Sequence, residues 1–581
     1  MIFALFLACN ASSPAVAIPS GRLDVALEGN WTAANGRPVA FPSLQQGTNL
    51  LAHHPVTLPD NWNPATHVTF HADATGWLAR ITIDNVEVGH DVGGLRPVAI
   101  DLTGKLHAGP NDLVLALAPA TNENILPNGT VQSLGAFTNE MPPPGTVLAG
   151  GHMWLEFTGE KRIESLQARL HGENLIATVR TNHAAGEPVQ ISVVHDGQEW
   201  RAPADAVVTA DGTASLSLPV SFPLWTTANP QLNWLVATVG KDRRAIRFGA
   251  RSLVRTGAKL AINGEDTYLA VLRWPIPDPP TRTSLAAFAV ELQRLGANGV
   301  EFHAQGFSAE ALDTLDELGL YAVLTPVCDG KQHANGPVEP HKAWQSFTSE
   351  SSARIAEHLE NHPSVALWHL EGHVPQRDPH VYDAYIGTEI PFVDLHDSQG
   401  LEATSIPAAL SGAMPAYWNE TPWHDPSAAP DLLSTVLTAH RHVGIGLALP
   451  NLTMSSRPSP AYLATIAALE GEIATRLAAA NVAPWPGGPR RGPAGLAVSV
   501  KRGGAAVPGA VVVMTPNPGV LPPIASAADA GGVAHFSIDY LGPVTVSLLG
   551  GVSNATTTLG AGEYRPGVFA TNIAHTTLEW P

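Results

Sequence analysis

From Tyr268 onward short apolar runs alternate with amphipathic stretches, and nothing else in the sequence restricts the fold as much. Leu269 to Arg273, Asn298 to Phe302, Tyr321 to Val327 and Val365 to Leu370 have the length and composition of buried strands. Between them, Leu285, Phe288, Leu292 and Leu295 recur at helical spacing over Thr283 to Leu295, and Gly296 supplies a stop. Ala309 to Leu318 is the next helix, and Ile355 and Leu359 mark one face of another over Ser351 to Glu360. Strands joined by short helical crossovers form a parallel sheet, here an α/β barrel. The fourth strand runs into Glu371, which places a carboxylate at the C-terminal mouth where barrels carry their chemistry.

The flanks follow a different period. Val68 to Phe70, Leu78 to Ile83, Val98 to Ile100 and Leu113 to Leu117 alternate with a period of two between turns such as Asp84-Asn85 and Gly109-Pro-Asn111. Such a run makes an antiparallel sandwich. Ile163 to Leu170, Leu175 to Arg180, Val189 to Val194 and Leu232 to Val239 make a second. Asn481 to Gly495 is rich in Pro and Gly and reads as a linker. Val507 to Val513, Asp529 to Phe536 and Val544 to Leu548 make a third sandwich. The expected organisation is a leader and tether over 1–22, sandwiches over 23–158 and 159–257, a barrel over 258–481, a linker over 482–495 and a terminal sandwich over 496–581. With 53 Gly, 50 Pro and only 14% charged residues, turn-rich β modules outweigh long helices.

Several stretches resemble family 2 glycoside hydrolases, the β-galactosidase, β-glucuronidase and β-mannosidase group. Ile81 to Gly89, Gly93-Gly94, Val98 to Thr103 and Gly109 to Leu113 are similar to that family's N-terminal jelly roll. Phe222-Pro-Leu-Trp-Thr-Thr-Ala-Asn-Pro230, and Phe248-Gly-Ala-Arg251 followed by Leu260-Ala-Ile-Asn-Gly264, resemble its immunoglobulin-like domain and the entry to its (β/α)8 TIM barrel. Leu295-Gly-Ala-Asn298 and Asn361-His-Pro-Ser-Val365 continue the likeness inside the barrel. Met414-Pro-Ala-Tyr-Trp-Asn-Glu420 resembles strand seven and Val443 to Leu449 strand eight. Strands five and six are then compressed between Val381 and Ala413, with Phe392 to Leu395 as the piece expected to form, so a shortened barrel is expected. Val507-Pro-Gly-Ala510 and Asp529-Ala-Gly531 resemble carboxypeptidase-regulatory-like or bacterial immunoglobulin-like accessory domains.

The resemblance implies a retaining glycosidase with Glu420 as nucleophile. Where the family's fourth strand closes on its acid/base Glu, this chain has His373, with Glu371 two residues earlier. Glu371 is therefore the candidate acid/base, and His373 an alternative acid because imidazole titrates near neutrality. A shift of two residues keeps the strand face and lowers the side chain by about 6–7 Å. The family's strand-two Arg is replaced by Glu301. Arg273, His303, Trp368 and Trp418, at or near strand ends, are the expected substrate contacts, whereas Trp31, Trp62 and Trp77 read as sandwich core before sugar platforms. Two other functions fit the same residues. One is a non-catalytic carbohydrate-binding surface protein; the other is a metal-dependent hydrolase built on His303, His369, Glu371, His373 and His424, although no spaced ligand motif supports it.

A net charge of −19 argues against nucleic-acid and anionic-membrane partners and is compatible with a carbohydrate ligand. No cofactor is expected. Met1 to Ala8 is apolar, and Phe6-Leu-Ala-Cys9 resembles a lipoprotein signal ending in a lipidated Cys9. The expected location is the cell envelope, lipid-anchored or secreted, with membrane contact only through that anchor.

Overall fold

The structure is a computed structural model. It describes residues 21–581 apart from 30, 40, 42, 47–48, 76–77, 93–95, 119–122, 126–130, 134–145, 183–184, 257–258, 275–279, 304–307, 326–341, 372–387, 389, 396–416, 419–443, 448–473, 476, 479–481, 517–518 and 551–552.

The barrel begins at Leu269–Arg273 and continues through Gly299–His303, Tyr321–Thr325, Val365–Glu371 and Phe392–Leu395, each parallel to the last. On its other side the first strand pairs in parallel with Gly444–Leu447, which pairs with Tyr417–Trp418. Numbered along the chain as strands one to five, seven and eight of a (β/α)8-like sheet, these seven strands lie in the sheet order five, four, three, two, one, eight, seven. Phe392–Leu395, the piece expected from strands five and six, lies next to strand four and is the fifth strand here; residues 396–413 of that span lie outside the described residues.

The first helix, Arg282–Leu295, opens on a capping box between Thr281 and Ser284 and stops at Gly296, whose φ of 72° is left-handed. The second, Ala309–Leu318, is capped by Ser308 and ends at Gly319. A Cβ at Gly319 would stand 2.6 Å from the Thr227 carbonyl oxygen, so only glycine lets the second sandwich approach this helix end. The helix before strand four spans Lys342–Leu359, starting earlier than the sequence pattern indicated.

Alternation sorts the barrel side chains. Ala270, Leu272, Trp274, Val300, Phe302, Ala322 and Leu324 share one core with Leu285, Leu292, Leu312, Leu315, Ile355 and Leu359 of the helices. Leu269, Val271, Tyr321, Val323, Ala366 and Leu367 form a separate interior cluster with Trp225, Leu260 and Ile262. Trp225 is the Trp of the Phe222–Pro230 motif, fully buried, and its Nε1 donates to the Asp316 carbonyl at 2.9 Å. Together with the hairpin Leu253–Thr256 and Lys259–Ile262, it closes the N-terminal end of the barrel.

Of the two sheets of the first sandwich, one contains Leu50–Leu58, Leu78–Ile83 and Gly109–Ala118; the other contains Arg22–Ala26, Thr146–Thr158, His67–Ala74 and Val98–Asp101. The latter extends beyond the sandwich. Arg22–Ala26 pairs in parallel with Ile524–Ala527, and the sheet runs on through Val511–Pro516 to Asn554–Leu559. Val511, Val513, Ala525 and Ala527 belong to the same core as Leu23, Val25, Phe70 and Phe157. The C-terminal strands therefore complete the first sandwich as well as forming their own. The second sandwich packs Ile163–His171, Asn174–Thr181 and Thr213–Pro219 against a four-stranded sheet.

The stretch expected as a linker is packed. Val482 and Trp485 are buried in the barrel's helix-side core, and Trp485 bonds Ala297 O and Leu318 O through its two N–H groups. A 13-residue strand, Arg490–Arg502, starts directly after. Pro and Gly here shape a strap across the barrel, not a free tether.

Candidate functional site

The C-terminal ends of the barrel strands define the mouth. Arg273 closes strand one and stands level with Glu301 of strand two. Its Nε lies 3.3 Å from Glu301 Oε2, and the Glu301 side chain is 1% exposed. The pair sits above the apolar interior cluster, so the barrel is filled below and charged near its mouth. A buried carboxylate is stable there because the guanidinium offsets its desolvation. The acid that replaces the expected Arg in strand two has thus found its counter-charge in strand one.

His303, the last residue of strand two, pairs in register with Thr325 of strand three. Strands three and four then slip by one residue, Ala322 facing Val365 and Val323 facing Leu367. This bulge puts both Ala366 and Leu367 in the interior cluster, and alternation resumes after it. Glu371 ends strand four, opposite Leu395 of strand five. Trp418 ends strand seven, opposite Gly446 of strand eight. The structure thus places Arg273, His303, Glu371 and Trp418 at strand ends on one side of the barrel. Glu420, His373 and Cys9 lie outside the described residues, as does Trp77.

Trp368 is a correction. It is fully buried in the helix-side core, and its Nε1 donates to Thr388 Oγ1 at 3.0 Å, so it does not face a sugar. The bulge is the reason, because it fixes which parity of strand four looks inward. Trp31 and Trp62 are likewise buried among sandwich core residues.

The described residues hold one cluster with metal-ligand composition, Asp313, Asp316 and His362, whose ligand atoms lie within 4.8 Å of one another. It stands beside the start of strand four, at the end of the barrel away from the mouth. Its groups already satisfy each other. His362 Nδ1 is 2.7 Å from Asp316 Oδ2, Ser364 N donates to Asp316 Oδ1 at 2.9 Å, and Arg247 Nη2 is 2.5 Å from Asp313 Oδ1. Burial opposes ionisation of Asp313, yet Arg247 and His362 hold its pKa down to about 2. Burial likewise opposes charge on His362, and Asp316 raises its pKa nonetheless. As it stands, this is an ion cluster joining the second sandwich to the barrel.

Sequence reasoning missed that cluster because Asp313 and Asp316, three apart on the helix Ala309–Leu318, meet His362 only through the fold. The Arg273–Glu301 pair was legible only as an unexpected acid.

No protein-family model matches the sequence, and no curated protein matches it. Solved structures do. The β-glucuronidase of Bifidobacterium dentium in complex with coumarin-3-O-glucuronide superposes with a TM-score of 0.57 at 16% identity, over 78% of this chain and 89% of that one. A β-glucuronidase of Ruminococcus gnavus in complex with uronic deoxynojirimycin gives 0.56 at 15%, over 79% and 90%. The β-glucuronidase of Faecalibacterium prausnitzii gives 0.54 at 17%, over 78% and 89%. At these identities the likeness establishes a shared multidomain fold of jelly roll, immunoglobulin-like sandwich and barrel. Among the described residues no helix is long and apolar enough to cross a membrane.

Proposed function

We propose that this chain is a glycoside hydrolase of the family 2 type, cleaving O-glycosidic bonds with retention and working poorly on unactivated sugars. The observation that carries the reading is the strand order, with strand four ending in Glu371 and strand seven stopping two residues before Glu420. Retaining cleavage needs two carboxyl groups about 5–5.5 Å apart, one attacking the anomeric carbon and one protonating the leaving oxygen. Glu420 takes the first role and Glu371 the second. Position 371 follows Leu367 of the interior cluster by four residues along the same strand. The fold shared with β-glucuronidases supports the same class of reaction, with β-linked substrates the first to try.

The acid/base is the weak member. His373 occupies the place of the family's Glu, and Glu371 starts lower on its strand. A glycoside whose leaving group departs without protonation should therefore be the better substrate. The test is the hydrolysis of 2,4-dinitrophenyl β-glycosides (glucuronide, galactoside, mannoside and glucoside), with the anomer of the first product read by NMR. The reading expects cleavage of at least one with net retention, and loss of turnover in Glu420→Gln. Inversion, or full activity in Glu420→Gln, would remove it.

A second reading, sugar binding without turnover, is favoured by the buried Arg273–Glu301 pair, because an acid tied to strand one cannot serve as the strand-two Arg does in the family. Binding of a glycoside by calorimetry with no cleavage of any activated substrate would select it. We also place the protein at the cell envelope through a lipid on Cys9; metabolic lipid labelling that survives Cys9→Ala would contradict this.

A further inference from the structure

Away from the barrel mouth, a cleft of about 790 Å³ opens where both N-terminal sandwiches, the barrel helices and the C-terminal sandwich meet. Its volume lies within the roughly 300–1,000 Å³ of small-molecule sites. One wall is the outer face of the first sandwich. His67, Thr69 and His71 alternate along one strand, and Trp154 and Glu156 along its neighbour, while Val68, Phe70 and Leu155 point the other way into the core. Trp154 and His71, directly opposite on neighbouring strands, stack face against face with ring centres 4.9 Å apart and planes at 13°, which puts a rigid aromatic pair on this wall.

The charges lining the cleft do not all cancel. Its five carboxylates each meet an arginine: Glu156 meets Arg22, Glu164 and Glu357 meet Arg180 at 3.1 and 2.5 Å, Asp313 meets Arg247 at 2.5 Å, and Asp539 meets Arg491 at 3.3 Å. Arg282 and Arg354 are taken by Glu317 at 2.5 Å and Glu350 at 2.6 Å. Two arginines remain. Among the described residues Arg244 donates to the carbonyls of Ile163 and Glu164, both through Nη1, and Glu156, Asp24 and Asp242 act on its charge from beyond ion-pair distance. Neither Arg162 nor Arg244 has a carboxylate oxygen within 4.0 Å among the described residues. Among the described residues, Nε2 of His71 is buried with no partner.

We propose that this cleft binds a neutral oligosaccharide, packed against the Trp154–His71 pair and held by Arg162, Arg244 and the cleft carboxylates. Open donors beside occupied carboxylate acceptors and an aromatic pair suit a polyhydroxylated ligand, which presents donors, acceptors and an apolar ring face together. A simple anion would use only the arginines and would meet five carboxylates in a chain of net charge −19. A metal ion would use only the carboxylates, which arginines already hold. The site is separate from the barrel mouth and does not depend on turnover there.

The test is calorimetric titration of the full chain with cellotetraose, maltotetraose and xylotetraose, with orthophosphate and gluconate as anionic probes. At least one neutral tetrasaccharide should bind. Arg244→Gln should weaken it about tenfold or more, the usual consequence of losing a charge-assisted hydrogen bond. Trp154→Ala should do the same, and Glu420→Gln should leave the affinity unchanged while removing any turnover at the mouth. If Trp154→Ala lowers the melting temperature, Arg162→Gln, at a half-exposed position, carries the comparison. No neutral saccharide binding, binding indifferent to Arg162 and Arg244, or a preference for orthophosphate or gluconate would each overturn the proposal.

Discussion

Arg22 shows how much one side chain settles in this molecule. It is 3% exposed on the first strand of the first sandwich. Nε and Nη2 reach the two oxygens of Asp242 at 2.9 and 3.0 Å, Nη2 also reaches Ile163 O at 2.5 Å, and Nη1 meets Glu156. One guanidinium thus ties two sandwiches together. Arg22→Leu would strand Asp242 and Glu156 as buried, unbalanced charges, at a cost of about 3–5 kcal/mol in chemical denaturation. A loss below about 1 kcal/mol would mean that water reaches the network. His152 makes a second prediction at this scale. Burial opposes its charge, but Glu28 Oε1 at 3.2 Å, with Asp73 and Glu310 nearby, pushes its pKa up to about 10. A histidine whose folded pKa is raised stabilises fully below its unfolded value near 6.5 and loses that contribution as pH rises toward 10. The melting temperature should therefore fall between pH 6.5 and 10, and His152→Gln should flatten that fall. An unchanged slope in the variant would contradict the assignment.

At the scale of elements, the strands and helices of the barrel were legible because their signals are local. Alternation, the Gly296 and Gly319 stops and the helical spacing of Leu285, Leu292 and Leu295 need no distant partner. The strap over 482–495 was not legible, since Pro and Gly report backbone shape and not packing. Trp485 shows the difference: its indole is buried against the barrel and bonded to Leu318 O at 2.8 Å. Trp485→Ala should cost about 3–5 kcal/mol of stability, as for other large-to-small changes in a packed core. A surface-like loss below about 0.5 kcal/mol would restore the linker reading. The bulge in strand four is equally silent in sequence, and it is what turned Trp368 toward the helices. The cleft arginines left no trace either, since Arg162 and Arg244 are isolated residues whose significance lies in which carboxylates they do not meet.

For the molecule as a whole, the parallel pairing of Arg22–Ala26 with Ile524–Ala527 joins the two ends of the chain in one sheet. No local pattern announces a contact of that range. A chain ended at Pro489 would expose Leu23, Val25, Phe70 and the edge of their sheet, so it should express insolubly or melt well below the full chain. A truncated chain as stable as the parent would make the C-terminal sandwich a separate module after all. The central claim is that this fold retains its nucleophile and has a compromised acid. It is tested most directly by comparing kcat/KM for a 2,4-dinitrophenyl glycoside and the matching disaccharide in the wild type and in Glu371→Gln. The account predicts that the wild type cleaves the activated substrate far better, and that Glu371→Gln costs the disaccharide less than the about 10²–10⁴ a well-placed acid supplies, and the activated glycoside hardly anything. Equal efficiency on both substrates, or equal losses on both in the variant, would contradict it.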